Sequence, residues 1–385
     1  MIDIGEVMFE DYQGFIDLDQ VLKEHYQYDF DGDEISFFQQ EFVEFEGNGI
    51  DAYCWIKYKG IKYLFKRIED FDYRVWGELV SSEIARELKI PCAEYRAGSL
   101  HGKKGIISKS FLTNDSTLKL GSELFQKFCE SDQFNKGDVL GNKTLIHSTP
   151  DDEANVFLHF LNNLEQVKKI ILNQEASVQQ KNQIIFFFTQ MFLFDLITLQ
   201  TDRHSHNWGI IQEKNNIHLC PLFDNSACFG LGIMKNKSDH TMYKVNDLEY
   251  KTNIFQSEFM NAVSFRNKKN LYSIIYNDSP SFVGSIRDVL RLDKYSTCRV
   301  PDIFKNFLLE SDTDTIDLIR FFLDEASHIN LAEKIEQLEI ANGIHMNNKI
   351  FFYIVHMFEE NVMYLNEIFN SYERGFYDES KRGAK

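Results

Sequence analysis

Thr201-Asp202-Arg203-His204-Ser205-His206-Asn207-Trp208-Gly209, followed by Pro221-Leu222-Phe223-Asp224-Asn225-Ser226, is where the chain gathers its chemistry. A long apolar run stops at Leu199, and Asp202, Asn207 and Asp224 then fall within 23 residues. Transfer of a phosphoryl group needs such a trio. One carboxylate orients an attacking hydroxyl and accepts its proton, while an amide oxygen and a second carboxylate hold the metal that bridges the nucleotide phosphates. Hard Mg2+ takes oxygen ligands and keeps several waters, so two protein ligands suffice.

The five-residue step from Asp202 to Asn207 equals the Asp-x-x-x-x-Asn spacing of protein-kinase catalytic loops. Asp224 follows after a short hairpin-like stretch. The two halves, in this order and spacing, resemble the paired signature of HipA-like serine/threonine kinases. The specific motifs of that resemblance cover roughly residues 50–230. It implies an α+β chain with a bilobal protein-kinase-like fold: a small β-rich N-lobe over residues 1–112 and a large, mainly helical C-lobe over 113–385. It also implies ATP and Mg2+ as cofactors, Asp202 as base, Asn207 and Asp224 as metal ligands, and a protein serine or threonine as acceptor. A small antitoxin partner follows from the resemblance only.

Composition bounds the alternatives. The chain has 385 residues, enough for one large domain or two modest ones, with 35 Phe, 17 Tyr and only 5 Pro. Its formal charge of −18 argues against direct binding to a nucleic-acid backbone, which needs concentrated Lys and Arg. Six scattered cysteines form no Cys-x-x-Cys pair, so neither a zinc knuckle nor a disulfide framework is indicated and a cytoplasmic setting is expected. The resemblance leaves a secreted effector open. The N-terminus lacks the basic-then-apolar order of a signal peptide. The apolar region 184–199 is short and interrupted by Thr189, Gln190 and Asp195, so it reads as a buried helix rather than a membrane span.

Upstream, the acidic cluster of Asp29, Asp31, Asp33 and Glu34 lacks EF-hand ligand order and reads as a solvated loop. Two aromatic, β-branched runs, 52–58 and 61–67, flank Lys59-Gly60 and predict a β-hairpin. Gly47 and Gly49 precede it. Their unobstructed backbone N–H groups suit nucleotide phosphates, or else form a plain surface turn. Lys66 closes an otherwise apolar strand, and an ammonium there needs a partner. Nucleotide phosphates are one answer, and snorkelling to water is the other. Lys62 shares its face. The Leu64-Phe65-Lys66 ending is similar to the family's nucleotide-binding lysine.

Apolar spacing predicts a helix over 77–88, carrying two acids that could fix Lys66, Glu78 and Glu83. Five residues apart, they project about 140° from each other, so one faces the lysine. The Gly77-Glu78 opening resembles the family pattern and selects Glu78. A strand over 105–112 runs into polar Thr113-Asn114-Asp115-Ser116, and its end, Lys109, Ser110, Phe111 and Leu112, is the expected hinge against the adenine edge. Residues 183–199 form a helix apolar all round, hence central. Two short strands over 209–212 and 217–220 then carry Asn207 and Asp224 toward one position. Residues 117–182 show weak helical periodicity, and from about 244 onward the pattern is mostly helical, with clear segments at 316–326 and 349–369 and a frayed tail from 373.

Other readings use fewer of these residues. A transition-metal hydrolase built on His204, His206, His218, Asp202 and Asp224 leaves Asn207, Lys66 and Glu78 without a role. His204 instead braces the catalytic loop, and Arg203 pairs with an acid. A pseudokinase and a small-molecule kinase on the same fold remain alternatives to the protein kinase.

Overall fold

The computed structural model describes residues 12–25, 53–58, 61–68, 71–113, 115–121, 123–124, 177–198, 200, 203, 207–214, 216–230, 304–305, 307–309 and 311–375. The Gly47 and Gly49 turn, the acidic cluster at 29–34, most of 117–182 and the end of the tail lie outside them.

The aromatic hairpin forms from β2 (Tyr53–Tyr58) and β3 (Ile61–Arg67), antiparallel, with Tyr53 opposite Lys66 and Tyr58 opposite Ile61. Strand β3 pairs on its other side with β5 (Lys103–Lys109), and β5 pairs with β4 (Tyr95–Leu100). A two-residue parallel strand, β1 (Ile16–Asp17), completes a five-stranded sheet of order β1-β4-β5-β3-β2. Helix α1 (Leu18–His25) follows β1, and α2 (Phe71–Glu87) joins β3 to β4.

Alternation divides the sheet into two faces. Tyr63, Phe65, Cys54, Ile56 and Ile107 pack with Ile16, Leu18 and Val21 on one side. On the other, the rows Lys66–Ile106–Ala97 and Leu64–Ser108–Tyr95 lie in register. Ile106, Ala97 and Tyr95 of these rows join the core that contains Val75, Leu79 and Ile84 of α2. Lys66 therefore lies on the α2 face.

Helix α2 begins at Phe71, earlier than the expected start at Gly77. Glycine disfavours a helix interior by about 1 kcal/mol relative to alanine, which makes Gly77 read as a boundary. Its reason for being there is tertiary: a Cβ at Gly77 would lie 2.7 Å from Ser226 O and 3.1 Å from Asn225 O.

The remaining elements form a second, helix-rich part. Strands β6 (Ser116–Leu120), β7 (Gly209–Glu213) and β8 (Asn216–Leu219) make a three-stranded antiparallel sheet in sequence order. The apolar helix α3 (Val178–Thr198) runs beneath it and is buried along its C-terminal half. Helices α4 (Thr313–Ser327), α5 (Leu331–Asn342) and α6 (Asn348–Glu373) close the molecule. Asp312 caps α4 by accepting from Thr315 N at 2.8 Å, and Gly343 ends α5 in the left-handed region at φ 60°. Asn361 Nδ2 of α6 donates to Ile197 O at 2.9 Å, tying α6 to the last turn of α3. Among the described residues no helix is long and apolar enough to cross a membrane.

Candidate active site

Two consecutive elements and a segment 158 residues further on meet at Lys66. Its Nζ lies 3.5 Å from Glu78 Oε1 on α2 and also hydrogen-bonds Asp224 Oδ1. The register that puts Lys66 on the α2 face makes the first contact, and the segment after β8 supplies the second. Glu78 is buried and its other oxygen, Oε2, accepts from Asn225 N at 2.7 Å. Burial raises the Glu78 carboxyl above its ordinary value of 4.5. The Lys66 charge opposes that shift and the Asp224 charge adds to it. Glu83 faces elsewhere: it accepts from Arg86 at 2.6 Å and lies 3.7 Å from Lys334 of α5.

Side chains hold four backbone groups of the segment 223–226, both of those on Asp224 among them. Asp224 N donates to Tyr95 Oη at 3.3 Å, and Gln200 Nε2 donates to Asp224 O at 3.1 Å. Arg203 reaches Phe223 O, Glu78 holds Asn225 N, and Arg74 Nη2 donates to Ser226 Oγ at 3.1 Å. The strand-like entry to this segment pairs with the link after α2, where Ala93 N donates to Leu222 O and Leu222 N to Pro91 O, both at 2.8 Å. Asp224 itself has φ 56°. Left-handed backbone is costly for most side chains and tolerable for Asp, so the surrounding bonds hold a conformation the chain would not choose alone. Burial pushes the Tyr95 phenol well above its ordinary value, with the Glu78 charge adding to the effect, so the Tyr95 hydroxyl keeps its proton.

Behind this lies Arg203, which is 1 % exposed. Its Nε and Nη2 bind Asp195 Oδ2 and Oδ1 at 3.3 and 3.0 Å, Nη2 also donates to Asn225 Oδ1 at 2.6 Å, and Nη1 donates to Asn207 O at 3.1 Å and Phe223 O at 2.6 Å. All five guanidinium N–H donors are thus accounted for. Burial alone would lower the Arg203 pKa, but the Asp195 carboxylate outweighs it and raises the value. One planar cation joins the central helix, the residue expected to bind metal at 207, and both neighbours of Asp224. A lysine could not span that set.

Asn207 is buried beside Trp208, which packs edge-on against Phe188 of α3 with ring centroids 5.2 Å apart. Lys109 ends β5, Ser110 N donates to Lys62 O at 2.9 Å, and Phe111 stacks near Phe223 at 5.9 Å, so the expected hinge lies at the boundary between the sheet and the Asp224 segment. Leu112 continues as coil. Lys62, the local competitor of Lys66, sits 5.3 Å over the Trp55 ring instead. Asp202, His204, His206, Gly47 and Gly49 lie outside the described residues.

Sequence reasoning missed Tyr95, Gln200, Asn225 and the scale of the Arg203 network. A signal for the last was present, since an aspartate in the middle of an apolar helix calls for a buried cation. Among the described residues, Cys54, Cys92, Cys220 and Cys228 form no disulfide. Burial pushes Cys220 up to about 12, and Cys92 and Cys228 are likewise raised by burial, so these groups are unreactive packing.

The paired lobes of sheet and helices, with a strand lysine meeting a helix glutamate, define a protein-kinase-like fold of the α+β class. The proinflammatory kinase CtkA of Helicobacter pylori shares it, with a TM-score of 0.52 and 16 % sequence identity over 84 % of this chain and 94 % of that one. The HipA toxin of Shewanella oneidensis, solved with HipB and operator DNA, is similar at a TM-score of 0.43 and 11 % identity, over 84 % of this chain and 67 % of that one. No protein-family model matches the sequence, and no curated protein does.

Proposed function

We propose that this chain is an ATP- and Mg2+-dependent kinase that phosphorylates a serine or threonine of another protein. The observation that carries this reading is the meeting of Lys66 with both Glu78 and Asp224, from a strand, a helix and a loop. Lys66 positions the nucleotide phosphates, and Glu78 fixes the ammonium that does so. Asp224 offers a carboxylate that is 32 % exposed, and Asn207 offers an amide oxygen. That hard-oxygen donor set fits Mg2+ rather than a softer metal. Bound Mg-ATP supplies the transferable phosphoryl group and the charge neutralisation its transfer requires. Asp202 orients the acceptor hydroxyl and takes its proton, and His204 braces the loop around it.

Residues 1–112 act as the nucleotide-covering lobe and 113–385 as the catalytic lobe. Lys109, Ser110, Phe111 and Leu112 receive the adenine, while Gly47 and Gly49 cover the phosphates. The acceptor class and a restraining antitoxin follow from the motif resemblance of Thr201 to Gly209 and Pro221 to Ser226.

The test is Mg-ATP binding by thermal shift, followed by phosphate transfer to the protein itself and to candidate proteins. The wild-type protein gains about 2.7 kcal/mol of stability at a hundredfold excess over Kd. Asp202→Ala keeps that shift and loses turnover by about 10²–10⁴-fold. Absence of any Mg-ATP response in the wild type ends the enzyme reading. Binding without transfer leaves a nucleotide-binding scaffold, and transfer confined to small hydroxyl compounds replaces the protein acceptor.

A further inference from the structure

Helix α5 belongs to the C-terminal part of the chain and packs on α6, yet it also reaches across to β4 and to the helix that carries Glu78. At one point, Lys334 Nζ lies 2.6 Å from Glu87 Oε1 and 3.7 Å from Glu83 Oε1, both in the last turns of α2. The hydrogen bond to Glu87, with both acidic charges, raises the lysine pKa, so it stays charged. Leu331 and Ile335, on the same side of α5, are buried in the core that holds Ile84 and Leu88.

At the other point, the C-terminal turn of α5 replaces a missing strand. Strand β1 covers β4 only opposite Gly98 and Ser99, which leaves the edge before them open. The buried Asn342 fills it: its Oδ1 accepts from Ala97 N at 2.8 Å while its Nδ2 donates to Leu338 O at 2.9 Å. A buried strand N–H must find an acceptor, and here a side-chain amide serves. Arg96 adds a cation at the negative end of α5, its Nη2 donating to Ala341 O at 2.6 Å and Gly14 O at 3.1 Å. Gly343 permits the close approach, since a Cβ there would lie 2.8 Å from Phe15 N.

The two anchor points, eight residues apart on one rigid helix, bracket the path from α2 into β4 at a span of about 12 Å. Glu78 lies on α2 between this anchorage and the Gly77 contact with Ser226. A turn of α2 about its axis, or a slide along it, has to break Lys334 from its two acids and unseat Ile335. We infer that α5 is a positioning element for the Lys66–Glu78 pair, with Lys334 and Asn342 holding α2 in register so that the pair is formed by the chain itself, without an external activator. The inference rests on the proposed role of Glu78 in fixing Lys66.

The test uses Asn342→Ala, Asn342→Asp and Lys334→Met in the full-length protein. Amide exchange is followed in α2 around Glu78 and in α3 as an internal reference. Asn342→Ala and Lys334→Met speed exchange in α2 by about tenfold or more while α3 is unchanged. Both also lower kcat/KM in the wild-type background but cause little further loss in a Glu78→Gln background, because they act through Glu78. Asn342→Asp keeps the acceptor for Ala97 N but loses the donor to Leu338 O and adds a charge at the negative end of α5, so it recovers only part of the loss. Equal acceleration in α2 and α3, unchanged exchange in α2, or losses that multiply with Glu78→Gln would each overturn the inference. Lys334→Met decides the matter if Asn342→Ala does not fold. Should the wild type show no Mg-ATP response, the kinase reading fails on its own, and the exchange measurements still report whether α5 holds α2.

Discussion

Lys66 and Arg203 each bind a carboxylate and each touch the Asp224 segment, but they sit in different environments. Lys66 is 15 % exposed, and Asp224, one of its two acidic partners, is 32 % exposed. Arg203 and Asp195 are 1 % and 0 % exposed and have every guanidinium donor engaged. The first cluster can be rearranged by an incoming anion or cation, since a lysine is a flexible point charge and Asp224 is reachable. The second cannot move without leaving a buried charge unpaired. The adaptable cluster is therefore built on a fixed one.

The contrast sets the ranking of what should happen when each is broken. Arg203→Ala leaves Asp195 buried alone and should cost about 3–5 kcal/mol in urea unfolding. Arg203→Lys should recover only part of that, because three donors cannot serve five acceptor contacts. If either variant is near wild type in stability, the division between responsive and fixed clusters is wrong. Gly77→Ala should come next, at about 1–3 kcal/mol of net loss. The clash with the Ser226 and Asn225 carbonyls outweighs the gain in helix propensity, and a crystal structure should show α2 displaced from 225–226. Tyr95→Phe removes the acceptor for Asp224 N and should cost about 1 kcal/mol in the same measurement.

Lys66→Met should change stability by less than about 1 kcal/mol, because Glu78 can take up a proton and Asp224 reaches water. It should nevertheless abolish the Mg-ATP thermal shift. A stability loss as large as that of Arg203→Ala would mean that Lys66 is scaffold after all. The smallest effect concerns pH. Glu78 is raised above 4.5 in the folded chain, so its contribution to stability is fully present below the unfolded value and is lost as pH rises through the folded one. Glu78→Gln should accordingly flatten the decline in unfolding free energy just above pH 4.5, measured as a difference from wild type at stepped pH. A steeper decline in the variant would show that Lys66, not burial, dominates the Glu78 environment.

Elements with a strong periodic pattern were readable before any coordinates. The 53–67 hairpin, helix α3 and the 209–219 hairpin fall within a few residues of where the apolar spacing puts them, and α4 and α6 extend the expected segments at 316–326 and 349–369. Strand β4 was not read. Its sequence, Tyr95–Leu100, includes Arg96, Ala97 and Gly98, which say little about a strand, and Gly98 is present because a Cβ would lie 2.5 Å from Ile16 O. Strand β6 has no fully buried residue and so carries no alternation to detect. At the site, Lys66 was legible as a charge ending an apolar strand, whereas Glu78 was separated from Glu83 only by the resemblance of the Gly77-Glu78 opening to the family pattern. Tyr95 and Gln200 were not, because what they do is satisfy backbone groups of a distant loop, and no local pattern announces that.

The left-handed backbone at Asp224 bears on how anyone should disable this protein. Alanine at that position would remove a charge and also place a residue ill suited to φ 56°, so a loss of function in such a variant would mix two causes. Asparagine adopts the same dihedrals and differs only in its headgroup. The informative knockout at this position is the amide, with alanine serving as a gauge of how much the loop's shape alone is worth.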